Sequence, residues 1–275
     1  MIDTHLHGYR SSDSDTEYEK IIQSAISRGL TGICFTEHYE YYPFNNRMSC
    51  FDVDDYLSEI GTLKQKYNNL KILSGLEFSL YKSVFDMTDC DKTIYTMNNY
   101  DFDSIIGSVH YVDINSSPED IYYCEYTAKY NKSEAYKKVL EQYIALLPRL
   151  PGINIIGHFD YVTRYSQTYD DRNIYYKDFS DLFDELFKII IDMGIALEIN
   201  TANYIKRDDR PENVLDINIL KRYRELGGEM VSLGSDAHTP DRIAQKFDEF
   251  TQIIKSSGFS YLTHFENRKA ILTKI

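Results

Sequence analysis

Residues 1–15 read MIDTHLHGYRSSDSD, and they place His5 and His7 directly after a short segment, near Ile2 to Thr4, in which Ile2 is apolar and Asp3 and Thr4 are polar. We interpret this segment as a β-strand, because short runs of β-type residues recur between helical patterns along the chain. Side chains of an extended chain alternate between two faces, so the H-x-H pair points both imidazole rings to the same side. The stretch therefore predicts a strand that ends in two convergent imidazoles, which are common metal ligands.

Short runs of β-type residues alternate with helical patterns along the whole chain. Seven of them are predicted to be strands, near Ile2 to Thr4, Gly32 to Thr36, Lys71 to Leu76, Ser104 to Val109, Asn154 to Ile156, Ala196 to Ile199, and Met230 to Leu233. This alternation of strand and helix patterns is typical of βα units around a parallel sheet. Because no repeat, low-complexity segment or Gly/Ser/Pro linker interrupts it, we expect residues 1–275 to form a single domain.

Capping residues predict where two of the helices begin. Ser14, Asp15 and Glu17 form a predicted cap and first turn for the helix after the first strand. Thr239 followed by Pro240 predicts an N-cap and a first helical residue near the C-terminus.

The composition excludes several classes of protein. The 275-residue chain carries a formal net charge of -13, which repels nucleic acids and anionic membranes. It has neither a signal-peptide pattern nor a run of about 18 apolar residues, and its four scattered cysteines form no C-x-x-C pair. We expect a cytoplasmic monomer or small homo-oligomer that acts on a small molecule, without nucleic-acid or membrane partners.

Six of the seven histidines lie just past a predicted strand. They are His5 and His7 after the first strand, His38 after the second, His110 after the fourth, His158 after the fifth and His238 after the seventh. Only His264 lies elsewhere, in a C-terminal region that we predict to be helical. The C-terminal strand ends of a parallel barrel open on one face, so these six side chains are predicted to converge.

Two carboxylates are predicted at the same face. Glu77 ends the third strand, and Asp236 precedes His238 by two residues, which again directs both side chains to one side. Mixed imidazole and carboxylate ligands suit Zn, Mn or Fe, and the candidates are too many for one four-coordinate ion, so two or three ions are predicted. The alternatives are a salt bridge at the barrel mouth for Glu77 and a helix cap for Asp236, a position that Thr239 fits better.

Seven motifs along the chain carry a family resemblance. They are DTHLH, FTEH, GLEF, GSVH, GHFDYVTRY, EINTAN and GSDAH, in that order and at strand ends. On these motifs the chain resembles the PHP (polymerase and histidinol phosphatase) metal-dependent phosphoesterases, in particular the stand-alone histidinol-phosphatase branch. The resemblance implies a distorted (β/α)7 barrel, which agrees with the seven predicted strands.

The resemblance also implies a ligand set. It assigns one ion to His5, His7, Glu77 and Asp236, a second to Glu77, His110 and His158, and a third to His38, His238 and an aspartate after the H-x-H pair. For that aspartate the family pattern S-x-D matches Ser11 to Asp13, while Asp15 lies two residues further on. We favour Asp13, because Ser14 or Asp15 is more useful as the helix cap. Gly8 departs from the Thr or Ser common in the family, which we interpret as neutral for metal binding.

The activity that the resemblance implies is metal-dependent hydrolysis of L-histidinol phosphate to L-histidinol and phosphate, a step of histidine biosynthesis. Six neutral imidazoles and three carboxylates with two or three divalent ions leave the site at about +1 or +3, which attracts a phosphate dianion. A metal-bridging water would supply hydroxide to attack phosphorus while the ions hold the phosphate oxygens. Glu77, Asp236 and His238 are the candidate catalytic residues.

Five further residues are candidates for substrate binding or for support of the site. Arg164 offers a fork of donors for phosphate, with a surface salt bridge as the alternative. Glu198 and Asn200, at the end of the sixth strand, are candidates to orient a ligand histidine or to bind substrate, and we favour support of a ligand over direct contact. Asp160 or Glu37 is a candidate counter-charge for the amine of histidinol phosphate.

Three alternative functions share some of these motifs. A related phosphoesterase could act on another phosphomonoester, a nucleotide, an oligonucleotide end or phosphotyrosine. An amidohydrolase barrel also begins with H-x-H, but it usually has a ligand lysine where this chain has His110. A noncatalytic metal-binding domain would show degenerate ligands, and none of the expected ones is missing.

Two long tyrosine-rich connections, Tyr81 to Asp103 and Tyr111 to Asn131, are predicted to be functional lids.

Overall fold

The computed structural model describes residues 1–42, 47–81, 90–114, 117–122, 124–206 and 211–275. Its strands are β1 (Ile2–Leu6), β2 (Gly32–His38), β3 (Glu40–Tyr42), β4 (Arg47–Ser49), β5 (Lys71–Ser79), β6 (Ser104–Ser108), β7 (Tyr111–Ile114), β8 (Ser117–Asp120), β9 (Ile155–Ile156), β10 (Ala196–Asn200), β11 (Val231–Gly234), β12 (Tyr261–Glu266) and β13 (Lys269–Lys274). Its α-helices are α1 (Tyr18–Ser27), α2 (Val53–Lys66), α3 (Cys90–Asn99), α4 (Glu125–Lys129), α5 (Lys132–Leu146), α6 (Ser180–Met193), α7 (Ile217–Glu225) and α8 (Phe247–Ser256).

Seven strands form one parallel sheet in the order β1-β2-β5-β6-β9-β10-β11. Each of them overlaps a predicted strand. The two outer strands meet: the Asp236 amide donates to the His5 carbonyl at 2.8 Å, and the His7 amide donates to the Ala237 carbonyl at 3.0 Å. The sheet is thus nearly closed, and the predicted distorted (β/α)7 barrel is confirmed.

The helices cover the barrel with apolar faces at helical spacing. In α6 the buried residues are Phe183, Leu186, Phe187 and Ile190, which lie three or four positions apart on one face. This helix ends at Gly194, whose φ of 67° lies in the left-handed region that glycine adopts without a steric penalty. The core therefore lies between the helix layer and the outer face of the sheet, and the polar strand ends remain for the site.

The predicted cap of the first helix is wrong, whereas Thr239 and Pro240 do begin a helical turn, but a 3-10 turn rather than an α-helix. Helix α1 begins at Tyr18, and its N-cap residue Glu17 makes no capping hydrogen bond with its side chain. Ser14 instead donates to the His238 carbonyl at 3.0 Å, so its hydroxyl joins the first connection to the last one. Pro240 begins only a 3-10 turn, because Lys246, with a φ of 63°, separates that turn from α8.

The C-terminal region around His264 is a β-hairpin, so the predicted helix there is also wrong. Strands β12 and β13 pair antiparallel, with His264 opposite Ile271. Asn267 and Arg268 form the turn with φ values of 48° and 66°, as a two-residue hairpin turn requires. This turn, rather than the apolar content of the segment, decides its structure.

The two long connections contain regular structure. The first includes α3 and the second includes the β7–β8 hairpin and α4. Residues 82–89, 115–116 and 123, which belong to these predicted lids, lie outside the described residues. Within the described ranges, every helix is too short or too polar to cross a bilayer.

Candidate metal centre

The carboxyl ends of the strands bring the six predicted histidines together. The ring centroids of His5 and His7 lie 5.0 Å apart, and the His7 ring stacks on those of His38 and His238 at 4.2 and 4.4 Å. On the other side of the site, the rings of His110 and His158 lie 5.1 Å apart. The convergence predicted from their positions after the strands is present.

Glu77 lies between the two groups of histidines and is fully buried. Its Oε2 atom lies 3.1, 3.3 and 3.2 Å from ring nitrogens of His5, His7 and His38, and its Oε1 atom lies 3.0 and 3.4 Å from those of His158 and His110. Strand register explains part of this arrangement, because His38 on β2 pairs with Glu77 on β5. One carboxylate therefore faces both groups, as a bridging ligand would.

Asp236 faces two histidines and an arginine. Its Oδ1 atom lies 3.2 Å from His7 Nε2 and 3.6 Å from His5 Nε2, while Oδ2 lies 2.7 Å from Nη1 of Arg164. Burial raises the pKa of Asp236, but the positive charge of Arg164 outweighs this effect and holds the pKa well below its ordinary value. The carboxylate is therefore ionised.

Asp13 is the aspartate that reaches the histidines at the rim of the site. Its Oδ2 atom lies 3.1 Å from His238 Nε2 and 3.5 Å from His38 Nε2. Asp15, two residues further along the same connection, is exposed, as Asp13 is. The geometry thus favours Asp13 over Asp15 as the third predicted carboxylate, although Asp15 does not cap α1 as expected.

In three of the imidazoles the Nδ1 atom contacts a hydrogen-bond acceptor of the protein. His5 Nδ1 lies 2.6 Å from Glu198, and His110 Nδ1 lies 2.9 Å from Glu40. His7 Nδ1 lies 3.1 Å from the hydroxyl of Ser11, which itself donates to Glu37 at 2.6 Å and therefore accepts from the imidazole. With its proton on Nδ1, a neutral imidazole turns an Nε2 lone pair into the site.

These tautomers leave acceptors facing one another. The Nε2 atoms of His5 and His7 lie only 3.0 Å apart, and both face oxygens of Glu77 and Asp236. Burial lowers the pKa of His5, but the carboxylates of Glu198, Glu77 and Asp236 more than offset it and hold the pKa well above its ordinary value, so a proton binds this ring when no other cation does. Such a set of acceptors attracts cations, and its donor chemistry fits divalent metals.

Ligand atoms from several trios lie close enough to share an ion. Among the described residues these trios include His5, His7 and Glu77; Glu77, His110 and His158; and His7, His38 and His238. These trios correspond in part to the three predicted sets of metal ligands. His7 was predicted in the first set, and in the structure it also lies close to the third, with His38 and His238. The structure thus contains clusters that can bind metal, and the assignment of each ligand stays a prediction.

Glu40 is a residue of the site that the sequence analysis missed. Its buried carboxylate lies 2.9 Å from His110 Nδ1 and accepts a hydrogen bond from Ser79 at 2.6 Å. It also clusters with His38 and His110. The available signal was its spacing, because Glu40 follows His38 by two residues, as His7 follows His5 and His238 follows Asp236.

The residues predicted to bind substrate form a buried network. Arg164 donates from Nη2 to Asn200 at 2.8 Å and from Nε to Asn203. The Asn203 amide in turn donates to Asp160, and the Tyr204 hydroxyl donates to the other oxygen of Asp160. Arg164 therefore has an ion pair, but a buried one, and Asp160 faces protein donors on both oxygens.

Glu37 is likewise occupied by protein donors. One oxygen accepts from the Gly8 amide at 2.7 Å and the other from Ser11 at 2.6 Å. Gly8 itself is sterically constrained, since a Cβ atom there would collide with the Tyr18 ring and lie 3.0 Å from Glu37. The departure at position 8, which we expected to be neutral, thus has a packing reason.

Comparisons with known proteins agree with this geometry. The family model described as PHP domain matches residues 3–202. A probable histidinol-phosphatase of Clostridium acetobutylicum is 35% identical over 252 residues, which cover 90% of each chain. The crystal structure of histidinol phosphate phosphatase from Lactococcus lactis, complexed with Zn, L-histidinol and phosphate, superposes with a TM-score of 0.84 at 28% identity and covers 98% of both chains.

Proposed function

Because this chain belongs to the PHP domain family, we propose that it hydrolyses L-histidinol phosphate to L-histidinol and phosphate with two or three divalent ions. The observation that carries the proposal is the cluster of six imidazoles around the buried carboxylate of Glu77. Support for the substrate comes from the Lactococcus structure, whose description names L-histidinol and phosphate together with Zn. Residues 1–275 act as one catalytic domain in this proposal, since ligands come from β1 through the connection after β11.

The proposed ligands are those that the family resemblance implied. His5, His7, Glu77 and Asp236 hold one ion, Glu77, His110 and His158 a second, and Asp13, His38 and His238 a third when it is bound. Zinc is the first choice because imidazole and carboxylate suit it, with Mn and Fe as alternatives. When bound, such ions activate water and offset the charge on phosphate.

The chain's own residues prepare the site for a phosphate dianion. Glu198 and Ser11 keep His5 and His7 in the tautomer that directs Nε2 inward. His238 Nδ1 donates to the Asp236 carbonyl at 3.0 Å, which leaves its Nε2 facing Asp13. These contacts are made before substrate arrives, so binding and hydrolysis require little rearrangement of the ligands.

Arg164 is proposed to hold the phosphate. Asp236, Asn200 and Asn203 each take one of its donors, and a guanidinium has five N–H groups. One N–H on each terminal nitrogen is therefore left for phosphate oxygens. Asp160 is proposed to orient the Arg164 guanidinium through Asn203, rather than to pair with the substrate amine.

The test is phosphate release by the purified chain from L-histidinol phosphate, phosphotyrosine, AMP and glycerol 2-phosphate. We expect kcat/KM to be at least about tenfold higher for L-histidinol phosphate, the ratio that 1.4 kcal/mol of differential transition-state binding gives. His158→Ala is expected to abolish activity, whereas His264→Ala, the matched control outside the site, retains it. A preference for AMP or phosphotyrosine, or equal rates on all four esters, contradicts the proposed substrate.

A further inference from the structure

We propose that Gln142 and Tyr143, two adjacent residues of α5 here called the α5 clasp, are positioning residues for the metal centre. Their side chains take the place of backbone hydrogen bonds on both edges of β6, directly before His110. This inference rests on the proposed function and deepens it, because it names the groups that fix the ligands of the second proposed ion.

The clasp interrupts the ladder between β6 and β9. The Gly157 amide donates to the Gly107 carbonyl at 3.0 Å, and the next bond of a parallel ladder would run from the Val109 amide to the Gly157 carbonyl. The Tyr143 hydroxyl lies between these two groups, since it accepts from the Val109 amide at 2.9 Å and donates to the Gly157 carbonyl at 3.0 Å. One hydroxyl therefore separates the two strands immediately before a histidine on each of them.

The ladder between β6 and β5 is interrupted in the same way. The Leu80 amide donates to the Ser108 carbonyl at 2.6 Å, and the next ladder bond would run from the His110 amide to the Leu80 carbonyl. The side-chain nitrogen of Gln142 donates to that Leu80 carbonyl instead, at 2.6 Å, and to the Tyr111 carbonyl at 2.6 Å. The end of β6 is thus bonded to α5 on both edges rather than to its neighbouring strands.

Both clasp residues are polar groups on the buried face of α5. Gln142 is 7% exposed and Tyr143 is fully buried, and a buried polar group is costly unless it is hydrogen-bonded. Burial raises the pKa of the Tyr143 phenol well above its ordinary value, so the hydroxyl keeps the proton that it donates to Gly157. Packing alone favours apolar residues at such positions, and the polar groups therefore indicate a role in holding the strand ends.

The interrupted ladder determines where the ligands of the second proposed ion lie. Val109 and Gly157 each precede a ligand histidine, and the Nε2 atoms of these two histidines, His110 and His158, lie 3.4 Å apart. Both face Oε1 of Glu77, at 3.4 and 3.0 Å. A direct bond between Val109 and Gly157 would draw the strand ends together, because it replaces two hydrogen bonds in series with one. The clasp therefore sets the separation of the two imidazoles.

The junction of β6 and β9 has no space to absorb such a movement. A Cβ atom on Gly157 would lie only 2.0 Å from Oγ of Ser108. This Ser108 hydroxyl donates to Oε1 of Glu77 at 2.5 Å. A shift of β9 towards β6 would therefore also displace a donor of the proposed bridging carboxylate.

The test measures zinc binding by the whole chain, independently of activity. Metal-free wild type, Tyr143→Phe and Gln142→Met are dialysed against a series of buffered Zn²⁺ concentrations, and bound zinc per chain is measured by elemental analysis. His110→Ala, which removes a proposed ligand, identifies the ion concerned. Tyr223→Phe is the matched control, because Tyr223 is a buried tyrosine whose hydroxyl donates to the Met230 carbonyl at 3.1 Å, just before β11.

We expect Tyr143→Phe and Gln142→Met to weaken binding of the ion that His110→Ala loses by about 10- to 100-fold, and to bind the remaining zinc as the wild type does. Each clasp variant combined with His110→Ala should bind zinc as His110→Ala alone does, since the clasp acts on ligands of the lost ion. Excess Zn²⁺ should restore phosphate release from L-histidinol phosphate in both clasp variants, with an unchanged KM. Tyr223→Phe should match the wild type in each measurement.

The clasp is refuted, and the proposed function stands, if both clasp variants bind zinc as the wild type does or if Tyr223→Phe weakens zinc binding equally. Weaker binding of every ion by the same factor also refutes the clasp, because it signifies a general loss of structure. A wild type that binds zinc but hydrolyses none of the phosphomonoesters refutes the proposed function instead. The zinc-binding curves still decide the clasp in that case.

Discussion

Arg164 and Asp236 form a buried ion pair, with 2.7 Å between Nη1 of the guanidinium and Oδ2 of the carboxylate. The other oxygen of Asp236 lies 3.2 Å from His7 Nε2. A single carboxylate therefore joins the proposed phosphate clamp to the proposed metal ligands. Loss of either charge would affect both parts of the site.

Arg164→Ala should impair both stability and activity. It leaves Asp236 buried without its partner, so the free energy of unfolding should fall by about 3 kcal/mol in urea denaturation. Arg164→Lys keeps the charge but loses the planar fork, and we expect a higher KM for the phosphate ester with less loss of stability. Arg222→Ala, which removes the partly exposed partner of Asp184, is the control and should cost about 1 kcal/mol or less. An unchanged KM in Arg164→Lys would contradict the clamp.

Asp13→Asn and Asp15→Asn distinguish the two candidate aspartates. We expect Asp13→Asn to weaken binding of the ion near His38 and His238, because Asp13 lies within 3.5 Å of both rings. Asp15→Asn should bind metal like the wild type. Metal titration followed by elemental analysis measures the difference, and the assignment is wrong if only Asp15→Asn loses an ion.

Glu40→Gln tests the carboxylate that the sequence analysis missed. Glu40 holds the proton on His110 Nδ1, so its neutral analogue should reduce metal affinity or activity by about 10- to 100-fold. Glu59→Gln, which removes a surface partner of Arg10, serves as the control. Wild-type metal affinity and activity in Glu40→Gln would show that His110 needs no such partner.

Gly234→Ala should disturb the site through packing alone. A Cβ atom at this position would lie 2.6 Å from His5 Cβ and would collide with Glu198. We expect a loss of about 1–3 kcal/mol in stability, together with weaker metal binding. Gly61→Ala places its methyl group on α2 with no described atom within 4 Å and should instead stabilise the protein by about 0.5–1 kcal/mol. Equal effects of the two substitutions would refute the close-packing argument.

Much of the fold could be predicted because most of the sheet strands are nearly continuous apolar runs, with β1, which reads IDTHL, as an exception. Buried parallel strands require such runs, and the C-terminal ends of those strands then fix where the histidines meet. The positions of His5, His38 and His110 follow from this rule alone. The local sequence pattern was therefore sufficient to predict the barrel and the convergence of the imidazoles.

The features that the sequence did not predict depend on contacts between distant parts of the chain. Ser14 has the chemistry of a cap, but the last connection of the barrel takes its hydroxyl. Asp160 has the charge of a substrate partner, but Asn203 and Tyr204 occupy its oxygens. Capping preferences and charge are properties of single residues, whereas these partners lie many residues away.

The most direct test of the central claim measures bound metal and phosphate release from L-histidinol phosphate in the same sample. Metal is removed with a chelator and then restored stepwise with Zn, Mn or Fe. We predict that the metal-free chain is inactive and that activity returns as two to three ions bind per chain, in the wild type and in His264→Ala but not in His158→Ala. Hydrolysis by the metal-free chain, or full activity in His158→Ala, would contradict the account.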